Sequence, residues 1–168
     1  MKTLYLVRHA KSDWNNGNLP DIDRPLNTRG YRDAHAMSNL MKEKKVIPDV
    51  IISSPAIRAI STALIFCRNL GLDPAKIIIY PDLYETSVKQ YLECVSQIDN
   101  RFNSAMLFAH NPTITSFANS LTKAFTDGFP TCGIAGIKQA GADSGWGNFN
   151  AAPGELLWHD FPKNHSEG

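Results

Sequence analysis

Several classes of protein are excluded by what this 168-residue chain lacks. Cysteine is scarce: Cys67, Cys94 and Cys132 are odd in number and form no CxxC pair. That argues against a disulfide framework or a structural zinc site and fits free thiols in a reducing cytoplasm. Long apolar runs are missing, whereas a bilayer span needs roughly 20 such residues. A secretory leader is not expected, because the short run after Lys2 ends at Arg8 and His9. Charge of one sign is absent too. Seventeen Lys and Arg stand against 16 Asp and Glu, a net +1, which gives neither a basic footprint for nucleic acid nor an acidic tail. No Walker loop and no dense carboxylate cluster offers a Mg²⁺ site, so no cofactor and no metal are expected. The localisation expected is cytoplasmic, with no membrane partner.

What remains is ordinary globular composition, 43% hydrophobic and 20% charged, and a length that suits one domain. Thr3 to Val7, Val50 to Ser53, Lys76 to Tyr80 and Ala105 to Ala109 read as strands. Ile77, Ile78 and Ile79 suggest a strand buried on both faces. Between them lie helical patterns: from Asn27 or Thr28 to about Lys45, from the Ser54-Pro55 cap to Gly71, and from Val88 to about Ile98. Pro112 is expected to open a fourth helix ending near Leu121 or Lys123. Later, Ile134 to Lys138 and Glu155 to Phe161 look like two more strands, joined by a long surface connection from Gly141 to Gly154. This alternation predicts an α/β fold, three layers with a mostly parallel central sheet flanked by helices. One domain over 1–162 is expected, with a frayed tail over 163–168.

In such sheets ligands bind beyond the carboxyl ends of the strands. Arg8 and His9 follow the first strand. Ser53-Ser54-Pro55 follows the second, with Arg58 one turn into its helix. Asp82 and Glu85 follow the third, and His110 and Asn111 the fourth. Two guanidiniums supply forked donors that match phosphate oxygens. A histidine beside them is held neutral by the neighbouring cations and so keeps a nitrogen lone pair for attack on phosphorus. A second histidine can donate to the equatorial oxygens, and a carboxylic acid can protonate the leaving group. His35, His159 and His165 lie elsewhere and read as structural or solvated. A cysteine phosphatase does not fit, because Cys-x5-Arg counted from Cys94 ends on Asn100. Asp21-Ile22-Asp23 looks like a fragment of an aspartyl phosphatase motif, but it lies in a polar loop and not after a buried strand.

The motifs themselves resemble those of the histidine phosphatase superfamily, the phosphoglycerate mutase-like group. Leu6-Val7-Arg8-His9-Ala10 resembles its Arg-His signature, with Ala10 where many members have Gly. Arg24 to Gly30, the Ser53 to Ala63 segment around Arg58, Leu83-Tyr84-Glu85 and Phe108-Ala109-His110-Asn111 follow in the expected order. Short length, together with Ala109 to Pro112 and Thr131 to Ala135, is most similar to the SixA-type phosphohistidine phosphatases. The resemblance implies a phosphoglycerate mutase-like fold and a phosphatase working through a phosphohistidine on His9. Arg8, Arg58 and His110 would form the phosphate pocket and Glu85 would be the proton donor, with Asp13, Asp21 and Asp23 as rivals. Ser12, Asn15 and Arg24 would add substrate contacts. The substrate would be a phosphorylated protein or a small phosphorylated metabolite. A noncatalytic phospho-ligand module and a phosphomutase are the alternatives.

Overall fold

The computed structural model describes residues 1–123, 125, 128–141, 145–150 and 152–165. Six strands, β1 (Thr3–Arg8), β2 (Val50–Ser53), β3 (Ile78–Ile79), β4 (Ser104–Ala109), β5 (Ile134–Lys138) and β6 (Glu155–Asp160), form one sheet in the order β3-β2-β4-β1-β5-β6. The pairings from β3 across to β1 are parallel, while β5 and β6 run antiparallel. The sheet is therefore mixed, with its parallel half carrying the motifs.

Alternation along the strands divides the core in two, because successive side chains point to opposite faces. Leu4, Leu6, Ile52 and Leu107 pack against α3 (Val88–Ser96) and α4 (Thr113–Thr122). Val7, Ile51, Met106 and Phe108 pack against α1 (Thr28–Glu43) and α2 (Ile57–Asn69) on the other face. Asn27 caps α1, its side chain accepting from the Gly30 N–H at 2.8 Å. Gly30 is required there by space: a Cβ would lie 2.1 Å from the Lys11 carbonyl oxygen. The helix thus rests directly on the chain leaving His9. Gly71, at φ +74°, ends α2, with the Leu72 N–H reaching the Cys67 carbonyl at 2.9 Å.

Three expectations are corrected. Ser54 and Pro55 precede α2 without being part of it; Ser54 Oγ accepts from the Ala56 N–H at 3.2 Å, and the helix opens at Ile57. The third strand shrinks to Ile78–Ile79 and is not buried on both faces: these residues are 46% and 41% exposed, because β3 is an edge strand paired only with β2. The connection after Gly141 is not all surface. Trp146 and Phe149 are buried and stacked, and Trp146 Nε1 donates to the Phe102 carbonyl at 2.9 Å. Residues 142–144 and 151 of that connection, and 166–168 of the tail, lie outside the described residues. As far as His165 the tail is tied down, His165 Nε2 lying 2.7 Å from Asp160 Oδ2. Among the described residues no helix is long and apolar enough to cross a membrane.

Candidate active site

Register places the site. Arg8 of β1 is opposite Ala109 of β4, and Ser53 of β2 is opposite Phe108. The residues one step further, His9, His110 and Ser54, therefore emerge side by side at the carboxyl ends of three adjacent parallel strands. The His9 and His110 rings have centroids 5.1 Å apart. Both are nearly buried, at 7% and 9% exposure.

The proton on His9 can be assigned. Its Nδ1 lies 2.7 Å from the Ala10 carbonyl oxygen. A carbonyl only accepts, so Nδ1 carries the hydrogen and Nε2 carries the lone pair. The N–H of the same residue is fixed as well: the Ala10 N–H donates to Thr62 Oγ1 at 3.0 Å, and Thr62 donates to the Arg58 carbonyl at 2.7 Å. One threonine thus ties the His9 loop to the helix bearing Arg58. Burial, joined by the charges of His110, Arg58 and Arg8, pushes the His9 pKa down to about 3, against the opposing pull of the Ala10 hydrogen bond. The ring is neutral across the physiological range. Burial and Arg58 likewise push His110 down to about 4. Its Nε2 is 2.7 Å from Ser54 Oγ. With Ser54 Oγ donating to Nε2 while it accepts from the Ala56 N–H, Nδ1 is the N–H; the opposite tautomer would make Nε2 the donor to the hydroxyl.

Both guanidiniums are held by oxygen acceptors of the protein. Arg8 Nη1 donates to the Phe129 carbonyl at 2.8 Å. Arg58 Nη1 donates to the Asp21 carbonyl at 2.7 Å and its Nη2 to Asp21 Oδ2 at 2.9 Å. Three buried donors are left without a hydrogen-bond partner among the described residues: Arg8 Nε, Arg58 Nε and His110 Nδ1. Unsatisfied buried donors cost about 1–3 kcal/mol each, and three belonging to one constellation mark a place for an acceptor-rich ligand. A pocket of about 360 Å³, lined by Asp21, Arg58, Tyr84, Glu85, His110 and Asn111 among others, opens beside Arg58 and His110; Arg8 and His9 are not in its lining.

The remaining expected residues sort by position. Glu85 is exposed at the pocket mouth, in the left-handed region at φ +50°. Ser12 and Arg24 are buried and joined, Arg24 Nη1 donating to Ser12 Oγ at 2.7 Å, and reach the site only through Asp21, on which Arg24 Nε lies at 3.0 Å. Asn15 is exposed, and its backbone N–H bonds Asp13 Oδ1 at 2.7 Å. Asp21, seen from sequence only as a rival acid, is the hub of the outer layer. The Tyr84 hydroxyl donates to it at 2.6 Å, and that bond, with Arg58 and Arg24, holds its carboxyl well below the usual range. It is an anion gripping an arginine and no proton donor in this arrangement. Sequence reading also missed Tyr84 and Ser54, whose roles depend on side-chain pairings across 63 and 56 positions.

Residues 4–116 match the model of the histidine phosphatase superfamily (branch 1). The chain belongs to that superfamily. Among curated proteins, phosphoglycerate mutase 1 of Saccharomyces cerevisiae is 41% identical over 83 residues, which are 48% of this chain and 32% of the mutase. The chain thus spans about a third of that relative's length. An uncharacterised Mycobacterium leprae protein matches at 26% identity over 94% of this chain and 100% of its own. A structure designated phosphohistidine phosphatase SixA from Agrobacterium tumefaciens superimposes with a TM-score of 0.81 at 28% identity, covering 96% of this chain and 98% of that one. The protein histidine phosphatase SixA complexed with tungstate shares the fold, with a TM-score of 0.82, 22% identity and coverage of 98% and 99%. The fold is therefore phosphoglycerate mutase-like, and the chain is an enzyme of the histidine phosphatase class.

Proposed function

We propose that the protein is a metal-independent phosphatase that removes a phosphoryl group from the phosphohistidine of a protein, through a covalent phosphohistidine on His9. The observation that carries this reading is the assigned tautomer: a neutral His9 with its Nδ1–H engaged by Ala10 and its Nε2 lone pair free, beside the unpartnered donors of Arg8, Arg58 and His110. Attack forms the Nε2–P bond and breaks the bond from phosphorus to the substrate imidazole, whose nitrogen keeps the electron pair and takes up a proton. The two arginines and His110 stabilise charge on the three equatorial oxygens as the transfer proceeds. Water then attacks phosphorus, Nε2 leaves with its electron pair, and inorganic phosphate is released.

The acid decides the substrate class. Asp21 is fixed as an anion by Tyr84, Arg58 and Arg24, and of the carboxyl groups lining the pocket Glu85, at its exposed mouth, would serve as donor, while Asp13 and Asp23 lie outside the lining. A solvated acid gives weak help to an alkoxide leaving group, whereas a leaving imidazole needs little. The size of the Agrobacterium SixA neighbour, matched nearly end to end, supports the same substrate class. Ser12 and Arg24 support the site through Asp21, and Asn15 would meet the substrate outside it.

Two measurements test this. Incubation with a labelled phosphodonor and rapid quenching gives an acid-labile adduct that is missing in His9→Ala. A panel of phosphohistidine protein, phosphoserine and phosphotyrosine peptides and sugar phosphates shows preference for the first, and Glu85→Gln slows the esters more than the phosphoramidate. Tight binding of phosphorylated ligand with no turnover at all would identify a binding module; equal rates on esters and phosphohistidine would remove the substrate assignment.

A further inference from the structure

The start of α4 holds a closed hydrogen-bond ring that meets the phosphate-binding guanidinium of Arg8 through one carbonyl. The Phe129 N–H donates to Thr115 Oγ1 at 3.2 Å. The Thr115 hydroxyl proton goes to Asn111 Oδ1, at 2.6 Å. At the other end of the amide Nδ2 donates to the Phe129 carbonyl at 3.0 Å; a carbonyl only accepts, so Nδ2 faces it and Oδ1 faces the Thr115 hydroxyl. The same carbonyl accepts from Arg8 Nη1 at 2.8 Å. Every bond in the ring has one direction, set by a backbone N–H that can only donate and a backbone carbonyl that can only accept. Asn111, just before α4, and Thr115, in its first turn, both reach the backbone of Phe129. The Phe129 side chain is itself buried, its ring 4.7 Å from Phe125 and 5.3 Å from His159.

We infer that Thr115, acting through Asn111 and the Phe129 carbonyl, is a positioning residue that aims the Arg8 guanidinium at the phosphoryl group. Arg8 is half-buried, and its Nη1 donates to the Phe129 carbonyl. Without the hydroxyl, the Asn111 amide loses the contact that orients it, the Phe129 N–H loses its acceptor, and the carbonyl that holds Nη1 is released. Arg58 has a charged clamp in Asp21; Arg8 has this neutral one. The inference rests on the phosphatase reading above for the identity of the ligand.

The test is a double-mutant cycle read in two ways, by tungstate binding and by hydrolysis of p-nitrophenyl phosphate. Thr115→Val keeps the shape and removes the hydroxyl; Thr115→Ser keeps the hydroxyl. Tungstate affinity is expected to fall about tenfold in Thr115→Val and to stay within about twofold in Thr115→Ser. In an Arg8→Ala background Thr115→Val should change it by less than about twofold, since additivity fails only between coupled groups. The hydrolysis loss should appear with the binding loss. Equal losses with and without Arg8, no loss in Thr115→Val, or equal losses in the Val and Ser variants would each overturn the inference. Asn111→Ala run through the same cycle covers the case in which Thr115→Val does not fold. A wild-type protein that binds tungstate with this coupling yet hydrolyses nothing would sink the phosphatase reading and leave the clamp standing.

Discussion

At the level of single residues, the site is defined by protons that are held back. His9 and His110 have pKa values of about 3 and 4 in the folded protein, against about 6.5 in an unfolded chain. Below pH 6.5 the unfolded state therefore takes up protons that the folded state refuses until about pH 4. Stability is complete above that window and falls as the pH drops through it, by about 1.4 kcal/mol per pH unit for each imidazole. Unfolding in phosphate-free buffer should show markedly lower stability at pH 5 than at pH 7, and a His9→Gln, His110→Gln double variant should flatten the slope. Equal stability of the wild type at the two pH values would show that the rings are not held neutral. Asp21 makes a second case. Its carboxylate grips Arg58 at 2.9 Å but is partly exposed, so its worth is that of a half-solvated pair. Asp21→Ala should lower kcat/KM about tenfold, roughly 1.4 kcal/mol in transition-state terms, with the shape of the pH profile unchanged. A lost pH limb would instead make Asp21 the proton donor.

At the level of elements, short strands deliver residues to one edge and helices come close enough to brace them. Gly30 carries the closest approach, with a hypothetical Cβ 2.1 Å from the Lys11 oxygen. Gly30→Ala must push α1 away from the chain that follows His9. Overpacking of this kind costs about 1–3 kcal/mol, so a matching fall in unfolding free energy, with a parallel loss of activity, is the expected result. An unaltered midpoint would show that the helix start shifts freely. The same elements show what was legible beforehand. Arg8, His9, Arg58 and His110 could be placed on one rim because each follows a strand or opens a helix, and parallel register does the rest. The three isoleucines at 77–79 could not reveal that β3 lies at the sheet edge, since an apolar run reads alike in a central strand and at a margin. Trp146 was hidden in a Gly- and Asn-rich stretch, and its burial depends on Phe102 and Asn100, far away in the chain. Asp21, Tyr84 and Thr115 belong to pairings of side chains that no periodicity encodes.

For the whole molecule, two sheet faces, each with its own core, hold a cationic pocket open without filling it. Arg8, Arg58 and His110 keep buried donors unsatisfied, an arrangement the rest of the fold must offset. A bound oxyanion supplies the missing acceptors and so binds the folded state alone. Mass action then adds stability of about 2.7 kcal/mol when the ligand is at a hundred times its Kd. Tungstate or orthovanadate should therefore raise the unfolding temperature in proportion to the logarithm of its concentration, and a carboxylate such as acetate should do so far less. Arg58→Ala should lose most of the shift while Glu85→Gln retains it, because Arg58 belongs to the cradle and Glu85 to its mouth. An equal shift in Arg58→Ala would mean that the anion binds elsewhere on the surface, and the three unsatisfied donors would then need another explanation.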